Sequence, residues 1–334
     1  MLDIDNLKVN FESKVLASSK VIIVPHKLAD FDAIGSAIGL SLAVKKLKKV
    51  PFIIVDDKKY ELDRGVLGII RDAKCDFGIV NKVKYLPNMT DEDLFILTDV
   101  NKSYLVPCAD LMVRPEKIII IDHHERDDKT VLADDEYIDS SISSASEIVV
   151  KLLTKMKVKI PNNVANYLLA GIYLDTNKLT KNISADTLLI ASKLMEAGAD
   201  INFVMEMFSE DFESDRRVQE LVSRTKMITY KIAMMLADPS VEYTTKELAR
   251  TADYGLTYGV DASFAVGKLN DDMVAISARA KDKIDVGQVM SEMGGGGHQF
   301  SAAANIKGQT IEEVGKKLSL LIRPKCYKEK STEN

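Results

Sequence analysis

Four isoleucines in a row at 118–121, followed at once by Asp122, His123 and His124, constrain this chain more than any other stretch. A run of β-branched apolar residues bounded by Pro115 and by charge reads as a strand buried on both faces. Such strands belong to parallel sheets covered by helices. An acid and two imidazoles at the carboxyl end stand where open α/β sheets bind their ligands. The chain has four histidines, His26, His123, His124 and His298, and two of them are adjacent here. Residues that scarce and that clustered point to a site.

Around that strand the pattern alternates. Residues 5–18 form an amphipathic helix pattern, and Val21–Val24 a strand ended by Pro25 and His26. The stretch HKLADFDAIGS runs into the helical AIGLSLAVKKLKK, residues 52–55 and 94–97 are strands, 77–80 is a weaker one, and GVLGIIRDA is a short helix. Strands alternating with helices predict a parallel α/β sheet. SSASE at 143–147 opens a helix with Ser143 or Ser144 as N-cap and Glu147 in its first turn, and NNVANYLLAGIYLDTN is an apolar helix carrying Asp175. Residues 184–225 are helical and charged. After them KIAMMLAD, ASFAVGKL and MVAISARA are strand-like and KELARTADYGLTY is helical. The expectation is an α/β chain with a parallel-sheet domain over 1–190, a helical connector over 191–225, a smaller α/β domain over 226–325 and a frayed lysine-rich tail over 326–334.

Composition excludes several classes. At 46% apolar and 28% charged residues the chain is globular, and no apolar run approaches the roughly 20 residues that cross a bilayer. The acidic, polar N-terminus is unlike a signal peptide. Cys75, Cys108 and Cys326 match neither a disulfide framework nor a zinc spacing, so a cytoplasmic location is expected. A net charge of −5 argues against long nucleic acid as a partner and leaves room for a local anion pocket.

The chemistry lies in acids at strand ends. Asp30 and Asp32 follow one strand, Asp99 ends a second, and Asp122, His123 and His124 end a third. Carboxylates at such close quarters repel one another strongly unless a cation neutralises them. Carboxylates mixed with imidazoles suit a divalent ion such as Mn²⁺, and five or more ligands suffice for two ions sharing one carboxylate. That apparatus activates water and clamps phosphoryl oxygens. Taken singly, an Asp after a strand is a helix cap or turn residue, and Asp56 and Asp57 are assigned to that class. The glycines at 294–297 precede His298 and lie inside a domain, which favours an anion-binding nest of consecutive N–H groups over a flexible linker. Ser277 and Arg279 on the preceding strand add a hydroxyl and a guanidinium suited to phosphate.

These motifs, in this order over roughly residues 18–322, resemble those of the DHH phosphoesterase superfamily. Asp122-His123-His124 is similar to its name-giving motif, HKLADFDAIGS to its first, Thr98-Asp99 to its second and Leu174-Asp175-Thr176 to its fourth. GGGGH with Ser277-Ala278-Arg279 resembles the DHH-associated C-terminal domain. SSASE, LLAGIYLDTNKL and the stretch from VDASFAVGKL to GGGGHQFSAAA look like the catalytic module of GdpP-type cyclic-di-AMP phosphodiesterases.

The resemblance implies two Mn²⁺, one held by His26, Asp30 and Asp99 and the other by Asp32, Asp99, His123 and Asp175, with Asp99 bridging. It implies that Asp122 orients an imidazole, that His124 faces the substrate phosphate, and that Ser144, Ser277, Arg279, Gly295, Gly296, Gly297 and His298 contact substrate. The implied reaction opens cyclic-di-AMP to linear 5′-pApA by two-metal water activation. Short oligoribonucleotides, pApA and 3′-phosphoadenosine 5′-phosphate are the alternative substrates. Leu28-Ala29 stands where Asn-Pro is usual and Val100 where a Thr is usual; none is an implied ligand. GdpP-type proteins carry transmembrane, sensory and cyclase-like domains ahead of this module, so a free-standing relative or an excised module is expected, with no membrane segment. A homodimer through the apolar segments of 164–208 is a further expectation.

Overall fold

A computed structural model of the chain describes residues 3–55, 62–81, 85–209, 211–281 and 284–327. It divides into two units, Met1–Ser209 and Glu210–Asn334. Asp56 and Asp57, read as turn residues, lie outside the described residues, as do positions 328–334 of the expected tail.

Six described strands form the sheet of the first unit: β1 (Val21–Val24), β2 (Pro51–Val55), β3 (Ile79–Asn81), β4 (Leu94–Thr98), β5 (Ile118–Asp122) and β6 (Asp135–Ile138). Their order is β3-β2-β1-β4-β5-β6 and every pairing is parallel. The isoleucine run divides by alternation. Ile119 and Ile121 enter one core with Ile23, Ile53 and Ile96, while Ile118 and Ile120 enter another with Ile22, Ile54 and Phe95. Each such side chain, fully buried, contributes about 1.5–3 kcal/mol relative to exposure. The first core is closed by α1 (Ile4–Ala17), α2 (Phe31–Lys46), α3 (Arg64–Phe77), α4 (Ala145–Lys155), α5 (Asn162–Asp175), α6 (Ala185–Glu196) and α7 (Ile201–Met207). From the adjacent β1 and β4 the chain builds outwards in opposite directions, which makes their carboxyl ends the switch point where such sheets bind ligands.

Several expectations shift. The helix at GVLGIIRDA extends to Phe77, and Gly78, with φ 70°, ends it in the left-handed conformation, so the strand expected over 77–80 starts at Ile79. Residues 191–225 are not a separate connector. Ile190, Leu194 and Val204 are buried in the core of the first unit, whereas Leu221, on α8 (Phe212–Ser223), is buried in that of the second. An amphipathic helix looks alike from sequence whether it joins domains or closes one.

The second unit has a mixed sheet of β7 (Thr225–Thr229), β8 (Ile232–Leu236), β9 (Ala262–Asn270), β10 (Met273–Ala280), β11 (Gly296–His298) and β12 (Ser301–Lys307), in the order β11-β12-β10-β9-β8-β7. The β8–β9 pairing is parallel and the others are antiparallel. Helices α9 (Thr245–Leu256), α10 (Val286–Glu292) and α11 (Ile311–Tyr327) supply Leu248, Val289 and Leu318 to the core against this sheet. The expected tail therefore begins inside a helix. Among the described residues no helix is long and apolar enough to cross a membrane.

Candidate metal centre

Each acid at the β1–β4 switch point is positioned by a local rule. Beyond β1, His26 Nδ1 lies 2.6 Å from the Lys27 carbonyl, the contact of an N–H donor, which leaves Nε2 as the ring's lone pair. Nε2 lies 3.7 Å from Asp30 Oδ2 and 3.6 Å from Asp99 Oδ2. Asp30 is the N-cap of α2: its Oδ1 accepts from the amides of Asp32 and Ala33 at 2.9 and 3.0 Å, while Oδ2 faces His26. Cap and ligand are thus not competing readings, because each takes one oxygen.

Asp32 is fully buried and receives the first amides of α4. Ala145 N–H donates to Oδ2 at 2.7 Å and Ser146 N–H to Oδ1 at 2.8 Å. Asp99 follows β4 with φ 56°, a left-handed backbone that a non-glycine residue adopts at a cost of about 1–2 kcal/mol. Asp122, last in β5, accepts at Oδ1 from the amides of His123 and His124 and lies 2.9 Å from His124 Nδ1. Asp175 closes α5, after which Asn177, Lys178 and Leu179 all take positive φ and turn the chain away.

The side chains converge. His123 Nε2 lies 3.3 Å from Asp99 Oδ1, 3.3 Å from Asp175 Oδ2 and 4.0 Å from Asp32 Oδ2. Asp99 Oδ1, His123 Nε2 and Asp175 Oδ2 are buried and none has a hydrogen-bond partner. Ligand atoms of His26, Asp30 and Asp99 all lie within 4.8 Å of one another, and so do those of Asp32, Asp99, His123 and Asp175. A third such group joins Asp99, His123, Asp122 and His124, but there Asp122 Oδ1 already serves the two histidines.

Electrostatics agree. Burial, together with the negative neighbours Asp32 and Asp30, holds the Asp99 and Asp175 carboxyls well above the usual range, and burial raises Asp32. Burial lowers His123. His124 is raised, chiefly by its hydrogen bond to Asp122. Buried polar atoms without partners cost roughly 1–3 kcal/mol each, and one divalent ion removes several such costs at once. Oxygen and imidazole donors with no thiolate fit a divalent cation.

Beside His123 and Asp175 lies a cavity of about 420 Å³ lined by Ser140, Ser141, Ile142, Ser143, Asn182, Ile183 and Ser184. Ser144 is not part of it, which corrects its place among the substrate contacts. It is fully buried, and its hydroxyl accepts from Glu147 N as the α4 cap. Sequence reasoning also missed the Ala145 and Ser146 amides, since backbone donors leave no mark in residue type.

In the second unit Ser277, Arg279, Gly296, Gly297, Ser301 and Asn305 are among the residues lining a cavity of about 480 Å³. Arg279 Nε donates to Asp253 Oδ1 at 3.0 Å, and its Nη1 to Ser277 Oγ and the Ala278 carbonyl at 3.3 and 3.1 Å. The glycines are not a nest. Gly294 and Gly295 spend their amides on the Ser291 and Met290 carbonyls at the end of α10, and Gly296–His298 is a strand paired with β12. Glycine is needed because backbones press together: a Cβ at Gly295 would stand 2.5 Å from Ala304 Cα, and Gly297 has φ 145°. Gly295 and His298 lie in the same hairpin outside the cavity lining.

The chain is 33% identical over 312 residues to a cyclic-di-AMP phosphodiesterase, GdpP, of Geobacillus thermodenitrificans, covering 91% of this chain and 47% of that one. It thus spans about half the length of that relative. In fold it is similar to an exopolyphosphatase-related protein of Bacteroides fragilis (TM-score 0.76, 21% identity, 96% of both chains). It is also similar to RecJ of Thermus thermophilus in complex with Mn²⁺ (TM-score 0.55, 12% identity, 96% of this chain and 55% of that one). Residues 20–172 match the DHH family N-terminal domain and residues 224–323 the DHHA1 domain, and the chain belongs to the DHH family.

Proposed function

We propose that the protein is a manganese-dependent phosphodiesterase that hydrolyses cyclic-di-AMP to linear 5′-pApA. The observation that carries the reading is the meeting of Asp99 Oδ1, His123 Nε2 and Asp175 Oδ2, buried and without partners. The substrate comes from the GdpP relative, and the ion from the donor set and the Mn²⁺ complex of RecJ.

His26, Asp30 and Asp99 would hold one ion and Asp32, Asp99, His123 and Asp175 another, since the ligand atoms of each group lie within 4.8 Å of one another. Divalent cations bound there supply Lewis-acid activation of water and neutralise charge on the phosphoryl oxygens. The chain's own groups do the rest. Asp122 fixes the His124 ring, whose side chain is 56% exposed, so that the protonated imidazole can donate to a phosphate oxygen. Burial of Asp99 and Asp122 keeps bulk water from screening these charges. In the second unit Arg279, aimed by Asp253, offers its guanidinium to a phosphate beside Ser277 and Gly296.

Initial rates on cyclic-di-AMP, pApA and a short oligoribonucleotide, measured side by side with Mn²⁺, test this. Cyclic-di-AMP should give the highest kcat/KM, with pApA accumulating. A preference of about tenfold or more for a linear substrate, a difference of about 1.4 kcal/mol in transition-state binding, would replace this reading with an oligoribonuclease or a nucleotide phosphatase of the same family.

A further inference from the structure

We propose that Gly171 is a positioning residue for the metal centre: with the Ala145 and Ser146 amides it forms a mould that holds the Asp32 carboxylate among the ligands of the second ion. The inference rests on the reading of Asp32 as a ligand.

Gly171 lies four residues before Asp175 on α5, so the two share a helix face and sit one turn apart. A Cβ at Gly171 would stand 2.6 Å from Asp32 Oδ1 and 2.8 Å from Asp32 Cα, and closer still to Ser146 Oγ. Rotating the Asp32 side chain cannot relieve this, because its backbone is also in the way. The start of α2 would have to move. The carboxylate is also held by the two amides at 2.7 and 2.8 Å, and Ser146, which gives one of them, lies against Gly171 too. Asp32 is therefore held by a helix N-terminus that attracts it and fits only because the backbone at Gly171 is bare. Part of the SSASE sequence serves the same end. Ser144 caps α4, and Glu147 Oε2 accepts from the Ser143 and Thr187 hydroxyls at 2.8 and 3.0 Å. These bonds keep the first turn of α4 where its amides meet Asp32.

The test is Mn²⁺ binding to the full purified chain, followed by calorimetry and by the electron paramagnetic resonance of the free ion. Gly171→Ala should weaken the ion at the Asp32 set by about tenfold or more, the usual effect of disturbing groups behind a ligand, and leave the ion at His26, Asp30 and Asp99 less affected. Gly39→Ala is the control. Its Cβ would meet Val149 Cγ1 at 2.7 Å and Leu168 Cδ2 at 3.0 Å, so it strains the packing of α2, the helix that carries Asp32, without touching a ligand, and Mn²⁺ binding should be as in the wild type. Ala145→Pro removes one amide at the first position of α4, where proline suits the helix and where Ser144, at φ −161° and ψ 157°, is already extended as a residue before proline must be. It should weaken the same ion, less severely.

Wild-type Mn²⁺ binding in folded Gly171→Ala overturns the inference, and so does an equal loss in Gly39→Ala. Should Gly171→Ala not fold, Ala145→Pro decides, and wild-type binding there is fatal to the idea. A wild-type chain that binds no Mn²⁺ at all overturns the metal reading and this inference with it.

Discussion

Two cavities among the described residues, one in each unit, are built on opposite principles. At the β1–β4 switch point, buried carboxylates and an imidazole face one another at 3.3 Å with their lone pairs unspent. Around Arg279 the guanidinium is already oriented, its Nε on Asp253 and its Nη1 on Ser277 and a carbonyl. The first arrangement is electrostatically incomplete, so its own charges define the occupant as a cation. The second presents a guanidinium whose direction is set before anything is added to it. A site of the first kind identifies a chemistry, and one of the second kind discriminates among substrates that share it.

The comparison breaks first if Asp99 can be spared. Asp99 carries an oxygen for each ligand set, so Asp99→Asn should lower Mn²⁺-dependent turnover by about 10³-fold, the loss of several kcal/mol of transition-state stabilisation. Thermal unfolding should show the fold retained, because the substitution removes a buried charge that only a cation compensates. Turnover within tenfold of the wild type would mean that the two sets do not share this carboxylate.

Removing the metal is the next largest perturbation, and its pH dependence has a definite sign. Asp32, Asp99 and Asp175 are raised in the fold, all chiefly by burial, so without metal each costs stability as pH climbs through and above the ordinary carboxylate range. In His26 burial is outweighed by the Asp30 carboxylate, and in His124 the Asp122 hydrogen bond leads. Both are raised, and their stabilisation is lost as pH rises past the ordinary imidazole value. His123, lowered by burial, works the other way below that value. Asp30, lowered because its contacts with His26 and two amides outweigh burial, stabilises the fold above the ordinary carboxylate value and loses this only in acid, so it changes little between about pH 5.5 and about pH 8. The raised groups outnumber the lowered ones, so metal-free protein should have a higher Tm near about pH 5.5 than near about pH 8. Mn²⁺ at about 100 times its Kd should add about 2.7 kcal/mol, most visibly at the higher pH. A metal-free Tm that rises with pH would show that the carboxylates do not crowd one another.

What was legible in the sequence follows the same division. The isoleucine strand and the acids after it stand out because an unbroken β-branched run seldom occurs outside a buried strand, and histidines are too scarce here to cluster by chance. The acids and histidines so marked lie close together in space, while their division into two ligand sets came from the family resemblance. Groups that act through the backbone left no such trace. The amides that hold Asp32 belong to an alanine and a serine, and the room beside it belongs to a glycine inside an apolar helix. The glycine run was noticed as an anion nest, whereas here its lack of Cβ serves close packing against β12 and the positive φ of Gly294 and Gly297. Four strands, β6, β7, β11 and β12, escaped notice, two of them plainly for want of signal: β12 buries mainly alanines, Ala302 and Ala304, with Ile306, and β6 is four residues with an acid at two of them.

Arg279 sharpens the comparison from the other side. If the second cavity discriminates among substrates while the metal centre does the chemistry, losing this guanidinium removes binding that ground state and transition state share. Arg279→Ala should then raise KM for cyclic-di-AMP about tenfold, near 1.4 kcal/mol, and change kcat by less than about threefold. Arg279→Lys should recover only part of the difference. An ammonium keeps the charge but not the planar fork that meets Asp253 and Ser277 on one side and a phosphate on the other. Steady-state rates over a range of substrate concentrations separate the two constants. A fall in kcat matching the loss in kcat/KM would place Arg279 in the transition state, and the division of labour between the cavities would not stand.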